Sequence, residues 1–149
     1  MKKKNIVEII SALFILLFMY TALNKLYEPG RFRWVLNNSP LIKDFAGFVT
    51  YAVPIAELTL ATLLFFPKSR KIGLYGSLGI MTVFTLYIGY MIAFTPNLPC
   101  SCGGVLQQMT WTQHLLFNMF FTLLALMAIL FQRRIPVQGY AATAAPRYT

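Results

Sequence analysis

Two cysteines and one histidine lie close together in the sequence and have the types and spacing to carry chemistry. Cys100 and Cys102 are separated by one serine, and His114, the single histidine of the chain, follows them. A disulfide across so small a ring is strained, and strained disulfides are easily reduced. Such a bond closes almost no loop, so it constrains the unfolded chain very little. The spacing therefore indicates electron exchange by thiol–disulfide chemistry, with His114 as a neutral base or hydrogen-bond partner of a cysteine.

Two other interpretations of these residues stay open. The first is a metal site formed by Cys100, Cys102 and His114 with Met109 as a fourth ligand, and ligands this soft favour Cu(I). The second is a pair of free thiols in a loop that do no chemistry. The compartment matters to this choice, because disulfides persist mainly outside the cytoplasm.

A second group of polar residues lies within apolar segments. Glu57 is near the middle of one such segment, where a carboxylate costs about 3 kcal/mol or more. Lys25 is its natural partner by charge, although a simple helix count places the two at different depths. Tilt, water or a kink at Pro54 would have to close that distance. His114 and Asn118 are four residues apart and should face the other helices. We expect Glu57, Lys25 and Asn118 to form a cofactor or proton site, with a quinone headgroup as the candidate ligand. The structural alternative is contact between helices.

The composition predicts the elements that must position these residues. Hydrophobic residues make up 58% of the chain and charged residues 11%, whereas a soluble domain has about 45–50% and about 25%. Each of four apolar segments has about the 20 residues that a helix needs to cross a bilayer. They are residues 6–27, 45–66, 72–94 and 111–131. The predicted fold is therefore an all-α, four-helix transmembrane bundle.

Short motifs refine this topology. Residues 28–40 have apolar positions at helical spacing beside arginines, which predicts a short interfacial helix between helices one and two. Ser39 followed by Pro40 is typical of a helix start, so the second membrane helix is expected to begin at residue 40. Thr110 and Gln113 fit a capping box at the start of the fourth helix.

The positive charge predicts orientation rather than nucleic-acid binding. The formal net charge is +9, but the basic clusters lie at the ends of the apolar segments, as membrane topology signals do. The clusters at residues 2–4, 68–71 and 133–134 fall on one side of the bundle, which should be the cytoplasm. We therefore expect no nucleic-acid partner, two cytoplasmic termini, and a cysteine segment on the outer side of a bacterial inner membrane. Residues 1–135 would form the membrane domain, and residues 136–149 a flexible cytoplasmic tail.

Five stretches together resemble the MauE/DoxX family of redox-associated membrane proteins. They read "ALNKLYEPGRF", "VPIAELTLATLL", "TVFTLYIGY", "PCSCGG" and "WTQHLLFN". Cys100 and Cys102 match the cysteine motif of the family, and Lys25 and Glu57 match its recurrent polar positions. Gly103 stands where the methylamine-utilisation branch usually has an aromatic residue.

The resemblance implies a four-helix membrane bundle and a redox-linked role. Its MauE branch implies help with disulfide formation or maturation of exported proteins, and its DoxX branch implies an accessory part in quinone-linked electron transfer. The partners expected are the lipid bilayer and either a thioredoxin-like extracytoplasmic protein or a larger membrane complex. A thiol–disulfide oxidoreductase and a non-catalytic accessory subunit are the two main functional hypotheses.

Overall fold

A computed structural model describes residues 2–95 and 110–134. These residues form helices and turns, with no strand among them. The helices are α1 (Lys2–Tyr27), α2 (Pro29–Asn37), α3 (Ala46–Phe65), α4 (Arg70–Phe94) and α5 (Trp111–Arg133), with a single 3-10 turn at Lys43–Phe45 before α3. Four helices are long and apolar enough to cross a membrane. This confirms the predicted fold class, a multi-pass bundle with a short helix after the first span. Cys100, Cys102, Met109 and the tail at 136–149 lie outside the described residues.

The long helices alternate in direction and pack around an aromatic core. α1 lies against α3 and α5, and α4 lies against α5 and α3. Phe14 of α1 is fully buried, and its ring centroid lies 5.3 Å from that of Phe121 in an edge-on arrangement. The Phe18 ring is tilted against the Phe14 ring, with the two centroids 5.6 Å apart. This edge-to-face geometry suits the charge distribution of aromatic rings.

The bundle has two ends with different contents. The turn end carries the start of α1, the connection between α3 and α4 at residues 66–69, and the end of α5. There Arg70 lies 3.6 Å from Glu8, and Arg133 donates two hydrogen bonds to the Tyr75 hydroxyl. The opposite end carries α2 and the starts of α3 and α5. It is called the cavity end, after the cavity described below. Since Lys2 and Arg133 both lie at the turn end, the described chain enters and leaves the bundle on one face.

Glycines bring α3 and α4 together at the turn end. A Cβ on Gly73 would lie 3.0 Å from the Leu64 side chain and backbone nitrogen, and one on Gly76 would collide with Leu60. Small residues at such positions let helix backbones approach closely in a membrane. Gly79, three residues further along α4, takes no part in this contact, because a Cβ there would have no neighbour within 4 Å.

The connection from α2 to α3 differs from the prediction at one point. The short interfacial helix is present, with Val35 and Leu36 buried and Trp34 exposed. Ser39 is not a helix cap, because α3 begins at Ala46. Its hydroxyl instead hydrogen-bonds to the Tyr87 hydroxyl of α4 at 2.7 Å and to the Met91 sulfur at 3.4 Å. The buried serine therefore ties this connection to α4.

Candidate functional site

An ion pair joins α1 to α3 inside the bundle. The Lys25 ammonium nitrogen donates to Glu57 Oε1 at 2.7 Å. The Glu57 side chain is 2% exposed and the Lys25 side chain 18% exposed. The pairing expected from charge is therefore present despite the difference in depth along the two helices. A lysine stem is long and flexible enough to carry its charge away from its own helix position.

One oxygen of this carboxylate is left without a partner. Glu57 Oε2 is buried and accepts no hydrogen bond from any of the described residues. Thr21, which lines a cavity together with Glu57, donates its hydroxyl to the Phe18 carbonyl at 3.4 Å. A buried polar atom without a partner is costly and uncommon, and a ligand is one explanation for it.

Glu57 belongs to a buried face of α3. Thr50, Pro54 and Glu57 are all buried, as their spacing predicts. The Thr50 hydroxyl donates to the Ala46 carbonyl at 2.6 Å. Pro54 lacks a backbone N–H, so it cannot pair with the Thr50 carbonyl one turn earlier. The carboxylate thus stands one turn beyond an interruption in the helix hydrogen bonds.

A cavity of about 650 Å³ lies beside the ion pair at the cavity end. All five helices contribute to its wall, which is largely apolar. Its polar members are Thr21, Asn24, Lys25, Glu57, Tyr87, Tyr90, His114 and Asn118. Sites for small molecules in proteins are commonly of this size, about 300–1,000 Å³, and combine an apolar lining with a few polar groups.

The start of α5 fixes the position of His114 in this wall. Thr110 and Gln113 form the predicted capping box, with each side chain bonded to the other residue's backbone N–H. His114 then occupies the first turn. Asn118 lies one turn further on, is 3% exposed and donates to the His114 carbonyl at 2.9 Å. The polar stripe predicted on this helix does face the bundle, since Thr122 continues it and contacts Thr85 of α4 at 3.3 Å.

Two aromatic side chains near Lys25 were not predicted as part of the site. The Lys25 nitrogen lies 5.6 Å from the Phe32 ring centroid and 5.9 Å from that of Phe84. Both distances are within the range of a cation–π contact. The helical spacing of Phe32 on α2 showed only an apolar face, and Phe84 lies in an apolar run without a distinguishing pattern.

Four of the six predicted site residues therefore line one cavity: Lys25, Glu57, His114 and Asn118. The other two, Cys100 and Cys102, cannot be placed against it, since they are outside the described residues. Their flanks can be placed. α4 ends at Phe94 and α5 begins at Trp111, both at the cavity end.

Metal binding finds no support in the part of the chain that the structure describes. Residues 2–95 and 110–134 contain no cluster of three His, Cys, Asp or Glu side chains able to hold an ion. The copper alternative draws three of its four ligands from outside these ranges, so it stays a hypothesis.

Sequence comparison identifies the family. The profile described as "Methylamine utilisation protein MauE" matches residues 3–131, which cover nearly all of the four described helices that are long enough to cross a membrane. The chain belongs to the MauE family. No curated protein and no solved structure matches it. This MauE protein thus combines four apolar helices with a buried ion pair beside an apolar cavity.

Proposed function

We propose that this MauE protein is a membrane thiol–disulfide oxidoreductase that exchanges electrons through Cys100 and Cys102. The partner would be a thioredoxin-like protein outside the cytoplasm, and the outcome would be the maturation of exported proteins. Support comes from the Cys-x-Cys sequence, from the position of the helices that flank it, and from the match to the MauE family, whose resemblance implied a redox-linked role.

The reaction balances in electrons and protons. In the direction that forms disulfides, a partner thiolate attacks the Cys100–Cys102 disulfide and forms a mixed disulfide. The second thiolate of the partner then attacks that bond, which leaves the partner oxidised and both MauE cysteines reduced. Return of the MauE pair to the disulfide releases two electrons and two protons. A membrane quinone is an acceptor of suitable chemistry, because its reduction to quinol takes up two of each.

The observation that carries this proposal is a buried charged pair in an apolar cavity at the end of the bundle that flanks the cysteines. Placing charged side chains inside a membrane costs free energy, and ionisable residues there commonly mark functional sites. Lys25 and Glu57 line the cavity together with His114 and Asn118. In the proposed function, His114 assists proton transfer near the cysteines, while Lys25, Glu57 and Asn118 serve the acceptor.

Thiol labelling in intact cells tests the proposal. A membrane-impermeant maleimide should label Cys100 and Cys102 from outside, and labelling should rise after mild reduction. Single Cys100→Ser and Cys102→Ser variants should trap a mixed disulfide with a partner, which the double variant cannot form. If neither thiol can be labelled from outside, with or without reduction, both the outer location and the redox role fail.

The second candidate is a non-catalytic accessory subunit of a larger membrane complex. The contact between Lys25 and Glu57 favours it, because such a pair can also simply join two helices. It predicts that the double cysteine-to-serine variant retains function, while Lys25→Met weakens co-purification of the complex. The redox proposal predicts the reverse for the double cysteine variant.

A further inference from the structure

The cavity reaches the lipid-facing surface of the bundle on one side. Val83, Leu86 and Tyr90 line it, yet they are 61%, 69% and 39% exposed. They lie at intervals of three and four residues, so they form one stripe on α4. Val49 and Val53 of α3 also line the cavity. The same two helices touch closely through Gly73 and Gly76 at the turn end. They therefore form a wedge that is closed at the turn end and open toward the cavity end.

The inner part of this wedge carries hydrogen-bonding groups of both kinds. The Lys25 ammonium can donate, and Glu57 Oε2 is an acceptor without a partner among the described residues. Phe32 and Phe84 flank the ammonium. The remaining wall is apolar and continues to the exposed stripe on α4. A matching ligand has an apolar tail and a flat polar head that can accept one hydrogen bond and donate another.

We propose that an isoprenoid quinone binds in this cavity from the bilayer, passing between α3 and α4, with its headgroup at Lys25 and Glu57. In the oxidised form a ring carbonyl accepts from the Lys25 ammonium. In the quinol form a ring hydroxyl donates to Glu57 Oε2. The tail lies along Val53 and Val83 toward the lipid. This inference deepens the proposed function by giving the acceptor a site, but the binding itself does not depend on the cysteines.

A tryptophan in the cavity wall makes binding measurable. The chain has two tryptophans, Trp34 and Trp111, and Trp111 lines the cavity. In a Trp34→Phe protein in phospholipid vesicles, which hold no other protein, the remaining tryptophan fluorescence comes from Trp111. Titration with decylubiquinone should quench it saturably. The paired change Lys25→Met with Glu57→Leu removes both polar groups that would contact the headgroup without leaving an unpaired charge, and should weaken binding about tenfold.

A matched pair of variants on α3 tests the path between the helices. Val53→Phe fills the wedge and should abolish saturable quenching while leaving the ion pair in place. Ile55→Phe is the control, since Ile55 is 60% exposed and does not line the cavity. It should bind as the parent does. Circular dichroism and size-exclusion chromatography check that each variant is folded.

Three results would overturn the inference. They are unchanged binding in the folded Lys25→Met/Glu57→Leu variant, unchanged binding in Val53→Phe, and equal displacement of the quinone by decanol, which would indicate a pocket for any lipid tail. The double cysteine-to-serine variant separates this inference from the proposed function. If that variant still binds quinone and the thiols of the parent protein prove inert in the labelling experiment, the redox role alone is refuted. Reactive thiols without quinone binding would sink the quinone site alone.

Discussion

The pair of helices α3 and α4 is built differently at its two ends. At the turn end, Gly73 and Gly76 admit Leu64 and Leu60 and leave no room between the backbones. Toward the cavity end, the space between the helices joins a cavity of about 650 Å³, and the connection at Ser39 reaches across to α4 instead. Small residues on α4 thus let the two helices touch at the turn end, whereas the cavity end encloses an apolar space with a few polar groups.

The difference also separates two kinds of ion pair. Glu8 and Arg70 at the turn end lie 3.6 Å apart, with the Glu8 side chain 45% exposed and the Arg70 side chain 11% exposed. Lys25 and Glu57 lie 2.7 Å apart, and the Glu57 side chain is 2% exposed. Water solvates the half-exposed Glu8 carboxylate whether or not Arg70 is beside it, so this pair should contribute little. A buried pair has no such alternative, so its integrity should decide whether the cavity end holds together.

The largest effect should follow from breaking the buried pair. Lys25→Met leaves the Glu57 carboxylate buried without its partner and should lower the free energy of unfolding by about 3 kcal/mol, the low end of the usual range because the carboxylate can take up a proton instead. Steric trapping in bicelles measures this free energy of unfolding. Adding Glu57→Gln should recover most of the loss. Equal losses in the single and double variants would mean that the loss does not come from the unpaired Glu57 carboxylate.

Gly73→Ala tests the closed end of α3 and α4. A methyl group there meets both the side chain and the backbone nitrogen of Leu64 at 3.0 Å, and the backbone cannot move aside cheaply. We expect a loss of ~1–3 kcal/mol in the same unfolding measurement. Gly79→Ala is the matched control, since nothing lies within 4 Å of its new methyl group. A loss at Gly79 as large as that at Gly73 would remove the distinction between packed and open positions.

Ser39→Ala tests the bridge at the cavity end. Ser39 is fully buried and hydrogen-bonds to the Tyr87 hydroxyl at 2.7 Å. Its loss should cost about 1 kcal/mol, the usual net value of one such bond. Thr59→Ala should be close to neutral, because that exposed hydroxyl bonds only to the Ile55 carbonyl of its own helix. A neutral Ser39→Ala would show that the connection needs no bridge.

Glu8→Gln should have the smallest effect. Removing the solvated partner of Arg70 is expected to cost at most ~0.5 kcal/mol. Glu28→Gln provides a control, since Glu28 and Arg31 form another exposed pair at 3.2 Å. Thermal denaturation in detergent at low and high salt would measure the change in stability of both the Glu8→Gln and the Glu28→Gln variants. A loss at Glu8 comparable to that of Lys25→Met would erase the contrast between the two ion pairs.

Much of the fold could be predicted from the sequence because hydrophobicity and caps act locally. The first and third spans end where predicted, at Tyr27 and Phe94, and α5 begins at Trp111 behind its capping box. The assignment to a bacterial inner membrane, the placement of both termini in the cytoplasm and the roles of the predicted site residues stay predictions. Ser39 shows why local signals can fail. A serine before a proline can cap a helix or bond across to another one, and the choice depends on Tyr87, far away in the sequence.

The candidate site was predictable in its charges but not in its shape. Lys25 and Glu57 stood out because charges inside apolar runs are rare, and opposite signs favour pairing. Helix counting assigned them different depths because it ignores how far a lysine side chain reaches. The cavity depends on the distance between α3 and α4, which arises from glycine contacts at the far end of the helices. No periodicity in the sequence encodes that distance.

Because the site opens between α3 and α4, its occupancy should depend on the concentration of ligand in the membrane and not in the buffer. A compound that arrives sideways through lipid is counted as a mole fraction of the membrane, not as molarity in buffer. Extra phospholipid at a constant amount of protein and ligand should therefore empty the cavity, whereas extra buffer should leave occupancy almost unchanged. For an inhibitor of this protein, partition into the bilayer would matter as much as its fit beside Lys25.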